Sequence, residues 1–486
     1  MRSWWLGVGG LVAVGLIAAA CSGGGGSSAA EDVAEVAGTA APDASETVAE
    51  ADTDDSAAPV DPAAQEADQD EGEVVEETLL QRRVVEYEGS LAAQEGRTLY
   101  LPLDATVTPA GDEILRVRER PSNFGVQWSI AWDLRIIKDF RELIVSAPRD
   151  GIQSIDAPKF ETVAAVDAIY RDDSPVIQFE VNGDVRAYPL DILTWHEIVN
   201  DIVGGVPVAV TFCPLCNTAI AFERTVSGGL LDEPLTLEFG TTGLVRSSDL
   251  VMYDRTTETL WQQIGGKALV GGLVGAELNL LPATIVSWKQ FRDSFPDGLV
   301  LSRSTVVFSR VNGLEVLPPY GDNPYSGYDS TDEPPFLFVG ELDVRLSPFE
   351  RVVTLDLGDE FVAYPFVLLE DVRVFHDTRK GDDIVVLWIP GGVSALDARI
   401  IDDGREVGST GVFKREVDGQ SLTFSLNPDD ETEETFVDDQ TESVWNIFGT
   451  ALSGPLEGTQ LEAMIKNDHF WFAWAAFQPD TEIVTG

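Results

Sequence analysis

The chain has 486 residues, 44% of them hydrophobic, and 83 acidic side chains against 32 basic ones give a formal charge of −51. A phosphate backbone is recognised through a basic footprint, so nucleic acid is excluded from the expected partners. Three cysteines and three histidines leave few thiols or imidazoles from which to build a chemical centre.

The first segment, "MRSWWLGVGGLVAVGLIAAACSGGGG", has one Arg, an apolar run and three alanines before Cys21. It reads as a bacterial lipoprotein signal over residues 1–21, with Cys21 the lipidated first residue of the mature chain. The apolar run is short for a span of ~20 residues, which an uncleaved anchor would need. The expected membrane partner is therefore a lipid anchor at Cys21, and the expected location the extracytoplasmic face of the cell membrane. Residues 22–80 hold seventeen acidic residues and no basic one. Such a segment cannot offset its ordering entropy and is expected as a disordered acidic linker. Removing those seventeen charges from −51 leaves −34, so the remainder is acidic too, which reads as solubility rather than cation binding. Residues 81–147 are an N-terminal extension, either a small extra domain or an outgrowth of the first half of the folded region.

From Pro148 onward hairpin and strand signals dominate. "VIQFEVNGDVRAYP" predicts a hairpin turning at Asn182-Gly183. "LDILTWHEIVNDI" spaces Ile192, Trp195, Ile198 and Val199 as a helix would and stops at Gly204-Gly205. "PVAVTF" predicts a strand running into "CPLC", and "NTAIAFER", "LTLEFG" and "DLVMYD" predict further strands. "SWKQFRDSF" predicts a short helix.

Two stretches recur. Val185–Pro214 aligns without a gap on Phe361–Pro390, matching Ala187-Tyr188-Pro189 with Ala363-Tyr364-Pro365 and Asp201 with Asp377. "TETLWQQIGG" then resembles "TESVWNIFGT", with Trp261 on Trp445 and, after a one-residue gap, Trp288 on Trp471. This order predicts a duplicated unit of α+β, β-rich class: a first copy over 148–316, a Pro/Gly/Tyr-rich connector over 317–345, and a degenerate second copy over 346–486.

Together "PRDGIQSIDAPKF", "AYPLDILTWHEIVND", "VPVAVTFCPLCNTAIAFER", "DLVMYDRTTETLWQQIGG", "NPYSGYD" and "HFWFAWAAFQPDT" resemble the DUF3179 family of bacterial proteins, from about Pro148 to Thr481. That family has no known function. The resemblance implies a domain extent and a set of motif residues: His196, Cys213, Pro214, Cys216, Asp254, Trp261 and Trp288.

The pair Cys213 and Cys216 admits three readings. A thiol–disulfide redox pair would place the first cysteine at a helix N-terminus, yet the residues after Cys216 alternate like a strand. A structural role in a non-catalytic binding or scaffold protein, as a strained local disulfide or as two buried thiols, suits an oxidising compartment. A soft-metal site, copper first and zinc second, would use both thiolates and needs further ligands from His196, another histidine, Met252 or a carboxylate. The repeat favours the metal: Cys213 falls on Ile389, Cys216 on Gly392 and His196 on Val372, so all three vanish together while the framework persists. The expected metal ligands are Cys213, Cys216 and His196, and an enzymatic activity, if present, would use the same residues. His376 and His469 are expected to bond locally beside Asp377 and Asp468, and Asp254 to hold a turn. Trp288, Phe291, Trp471, Phe472 and Trp474 are expected as core aromatics, since a sugar-stacking platform would need them exposed. No Ser-His-Asp triad and no phosphate-binding loop with a lysine is recognisable.

Overall fold

Among the described residues, alternating apolar positions make strands the main regular element. The structure is a computed structural model and describes residues 107–486, apart from 109–110, 117–127, 129, 131, 227–233, 306–308, 312–313 and 317. The signal segment, Cys21 and the acidic linker lie outside the described residues. The architecture is β-rich, and the five α-helices among the described residues are each seven residues or fewer. No helix among them is long and apolar enough to cross a membrane.

The expected hairpin is present: Pro175–Val181 pairs with Asp184–Pro189. Asn182 and Gly183 have φ of 52° and 80°, the left-handed pair that a two-residue type I′ turn requires. Ala283–Ser287 joins the first strand, and Leu299–Leu301 lies parallel to the second. One expectation fails here. The helix spans only Leu190–His196, and Glu197, at φ 58°, ends it. Ile198–Val203 is then a strand, and Gly204-Gly205 is a hairpin turn into Val206–Cys213 rather than a helix stop. The β-branched cluster Ile198, Val199, Ile202 and Val203 favours the extended form, and strand pairing outweighs the apolar spacing that mimicked a helix.

Val206–Cys213 is a central strand, with Thr218–Glu223 on its other side. A further sheet holds Phe239–Arg246, Asp249–Asp254 and Leu260–Gln262. The extension contributes to it directly, because Leu143–Val145 pairs with Phe239–Arg246 and Arg135 pairs with Val270.

The later residues repeat many of these local arrangements. Arg351–Asp356 pairs with Phe361–Pro365, the helix Phe366–Val372 comes next, and Arg373 ends it at φ 64°. Tyr188 donates its hydroxyl to Asp201 at 2.6 Å, and Tyr364 donates to Asp377 at 2.8 Å. Asp254 accepts from the Trp261 indole at 3.0 Å and from the Thr257 hydroxyl, while Asp438 accepts from Trp445 at 2.9 Å and from Thr441. Thus Asp254 does hold a turn, and it ties that turn to a buried tryptophan.

The apolar cores draw on both halves. Cys213, Met252 and Trp261 share a cluster with Phe470–Trp474, and Trp288 and Phe291 share another with Phe413 and Trp445. Trp261, Trp288, Trp445 and Trp471 are fully buried, each contributing about 3 kcal/mol by leaving water. Trp288, Phe291, Trp471, Phe472 and Trp474 are core residues throughout.

Candidate metal centre

The two cysteines lie on a tight hairpin. Cys213 ends its strand opposite Thr218, and Pro214–Cys216 forms one 3₁₀ turn with proline at its start, where a missing N–H costs nothing. Asn217 closes the turn in the left-handed region, φ 51°, a conformation asparagine tolerates. Both cysteines are free thiols, buried among apolar neighbours.

A second hairpin brings the carboxylate. Arg246 pairs with Asp249 across Ser247 and Ser248, whose φ values of 50° and 68° again make a two-residue left-handed turn. The Ser248 carbonyl accepts from Cys213 Sγ at 3.8 Å and Cys216 Sγ at 3.5 Å. Asp249 Oδ2 accepts from the Ile264 N–H at 2.9 Å and from the Gln262 amide. Its Oδ1 is buried with no nitrogen or oxygen partner. One donor atom from each of Cys213, Cys216 and Asp249 lies within 4.8 Å of the others. A tetrahedral zinc centre with Zn–S near ~2.3 Å and Zn–O near ~2.0 Å separates its donors by ~3.5–4 Å, so small side-chain adjustments suffice.

The electrostatics of the pocket are one-sided. Burial pushes both thiols up, Cys216 further than Cys213, and the neighbouring carboxyls add to it. Burial pushes Asp249 up to about 6, against the pull of hydrogen bonds from Ile264, Gln262 and the thiols. Glu197, which ends the helix Leu190–His196, is pushed up to about 8 by burial and then by Asp249. No Lys, Arg or His is among the leading electrostatic partners of these four acids. Two tyrosines of the connector feel the same charges: burial and then Glu197 and Cys213 push up the Tyr325 phenol, and burial and then the two thiols push up Tyr328. Backbone bonds from Asn323 to Arg399 and from Tyr328 to Leu396 fasten the connector to the later half.

His196 is not among the donors grouped with the sulfurs. Its Nδ1 bonds the Gln153 carbonyl at 2.7 Å and its Nε2 the Tyr320 hydroxyl at 2.7 Å, so both ring nitrogens are engaged. The donor brought beside the sulfurs is Asp249, from a strand that sequence reading places without giving its first residue a role. His469 also departs from expectation. Instead of bonding locally, its Nδ1 meets the Thr218 hydroxyl at 2.7 Å, 251 positions away, and Thr218 in turn donates to the Cys216 carbonyl at 3.2 Å. His376 Nε2 likewise accepts from a distant residue, the Phe424 N–H 48 positions on.

A signal for the missed acids does exist in the sequence. The offset that aligns His196 with Val372 aligns Glu197 with Arg373, and the offset that aligns Trp261 with Trp445 aligns Asp249 with Glu433. Arg373 and Glu433 form an ion pair at 2.9 Å.

The family model described as a protein of unknown function, DUF3179, matches residues 149–481. The chain belongs to that family. No curated protein and no solved structure matches it.

Proposed function

We propose that this DUF3179 protein binds one zinc-type ion through Cys213, Cys216 and Asp249, in an extracytoplasmic lipoprotein anchored through Cys21. The observation that carries the reading is a buried group of two thiols and a carboxylate oxygen without a nitrogen or oxygen partner, with donors within 4.8 Å of one another. A divalent ion would turn both thiols into thiolates and compensate the carboxylate charge. The carboxylate also reverses the order of metals. Cu(I) prefers thiolate, thioether or imidazole, whereas zinc accepts oxygen beside sulfur. Three protein donors leave a fourth position for water or another ligand.

The thiol–disulfide alternative has less support. A nucleophilic thiol needs its pKa lowered by a helix N-terminus or a cation, and here burial and carboxyls raise both. The second half fits the same reading as a degenerate copy that keeps the frame, Tyr364, Asp377, Asp438 and Trp445, without the donors.

Native mass spectrometry of residues 83–486, purified without oxygen or chelator, tests this directly. One zinc ion per chain is expected, absent from Cys213→Ser and from Asp249→Asn. A metal-free chain with its two thiols joined would replace the metal reading with the structural disulfide.

A further inference from the structure

The turn that delivers Asp249 also delivers a backbone oxygen. Ser247 and Ser248 take φ of 50° and 68°, and this left-handed pair turns the Ser248 carbonyl towards the cysteine hairpin. Its oxygen lies 3.8 Å from Cys213 Sγ and 3.5 Å from Cys216 Sγ. Ser248 is fully buried, and among the described residues no backbone N–H bonds its carbonyl. A buried carbonyl is ordinarily paired with a strong donor, whereas this one faces two thiols, which are weak donors. The Ser248 hydroxyl donates to the Phe336 carbonyl, which fastens the turn to the connector.

These separations suit ligands of one ion. Zn–S near ~2.3 Å and Zn–O near ~2.0 Å, at the tetrahedral angle, put sulfur and oxygen ~3.5 Å apart. The carbonyl meets that value from Cys216 and comes within a few tenths of an ångström of it from Cys213. Charge argues the same way. Once the thiols ionise, their S–H donors are gone and the carbonyl dipole faces two buried thiolates. A cation between the sulfurs and the oxygen turns that repulsion into attraction. The later half lacks the turn and the thiols together. Its equivalent strands pair Leu426 with Phe436 across nine residues, 427–435, where Arg246 pairs with Asp249 across two. The strand frame thus forms without the tight turn, which accompanies the cysteines.

We propose that the Ser248 carbonyl oxygen is the fourth zinc ligand, beside Cys213, Cys216 and Asp249, so that the ion sits in a closed site with no position for water. This rests on the zinc reading above. Each thiol gives its proton to solvent as its sulfur takes the ion. Four protein ligands make the ion structural: it joins the cysteine hairpin to the hairpin that turns at Ser247 and Ser248, and it activates no water.

Ser248 followed by Asp249 is the only Ser-Asp step in the chain, so serine carrying carbon-13 at the carbonyl, with nitrogen-15 aspartate, isolates this one peptide group by NMR. The full chain would be labelled so, kept reduced and titrated with zinc, with uptake counted by native mass spectrometry. Coordination polarises the carbonyl and moves its carbon downfield, whereas loss of the two S–H bonds without coordination moves it upfield. A downfield shift that saturates at one zinc per chain is expected. Cobalt in place of zinc should give a tetrahedral thiolate spectrum that azide leaves unchanged. Ser248→Gly, which keeps the carbonyl and tolerates the turn, should give the same spectrum. An upfield or unmoved Ser248 carbon in a chain that takes up one zinc, or a cobalt spectrum that azide alters, would overturn the carbonyl ligand and leave the three-ligand site standing. A chain that takes up no zinc would overturn the three-ligand site as well.

Discussion

Glu197 and Asp249 both act on the Cys213 thiol, and this charge pattern has measurable consequences. The thiols are pushed above their ordinary range and Asp249 to about 6, so at neutral pH an incoming ion must displace both thiol protons. Calorimetry of zinc binding in buffers of different ionisation enthalpy should therefore show ~2 protons released per ion near neutrality, rising towards ~3 as pH falls through Asp249's range. Affinity weakens on acidification accordingly. Glu197 sets a second dependence, in the metal-free protein. Its carboxyl moves from the ordinary 4.5 to about 8 on folding, so between these values the native state holds a proton that the unfolded chain has lost. The native state binds more protons there, and stability falls as pH rises, by up to about 1.4 kcal/mol per unit. Asp249 and Asp191, each near 6, act mainly at the lower end of that window, and His469, held down to about 3, has the opposite sign and acts below its ordinary 6.5. Urea unfolding at about pH 6.5 and about pH 8 should show this loss in the parent chain and a nearly flat response in Glu197→Gln.

At the scale of elements, the turn from Asp254 to Trp261 and its counterpart from Asp438 to Trp445 depend on a buried aspartate bonded to an indole and a threonine hydroxyl. Asp254→Ala leaves those donors buried and unpaired, which should cost about 2–4 kcal/mol, and Asp438→Ala should cost a similar amount by the same urea measurement. These elements are legible in the sequence, because a hairpin announced by Asn182-Gly183 and strands such as Asp249–Asp254 carry their signal in adjacent residues. The segment after His196 is not. Ile198 and Val199 satisfy helical spacing and β propensity at once, and only pairing with Val206–Cys213 decides between them. The candidate site divides the same way. Cys213 and Cys216 are neighbours in sequence and legible as a pair, whereas Asp249 reaches them from 33 residues beyond Cys216 through a contact between sheets that no local pattern encodes.

Across the whole molecule, the two halves do not own separate cores. Trp261 packs in one cluster with Trp471 and Trp474, and Trp288 packs in another with Trp445. Residues 148–316 produced alone should therefore lack a cooperative unfolding transition and near-ultraviolet tryptophan dichroism, while residues 83–486 show both. The bond between Thr218 and His469 spans 251 positions, which carries the dependence into synthesis. A ribosome delivers the cysteine hairpin long before it delivers His469 and the aromatic helix Trp471–Phe477 that close over the same core. Until those last residues emerge, the apolar core around both sulfurs is incomplete. The order of emergence thus makes the last few dozen residues the ones on which burial of the cysteine hairpin waits.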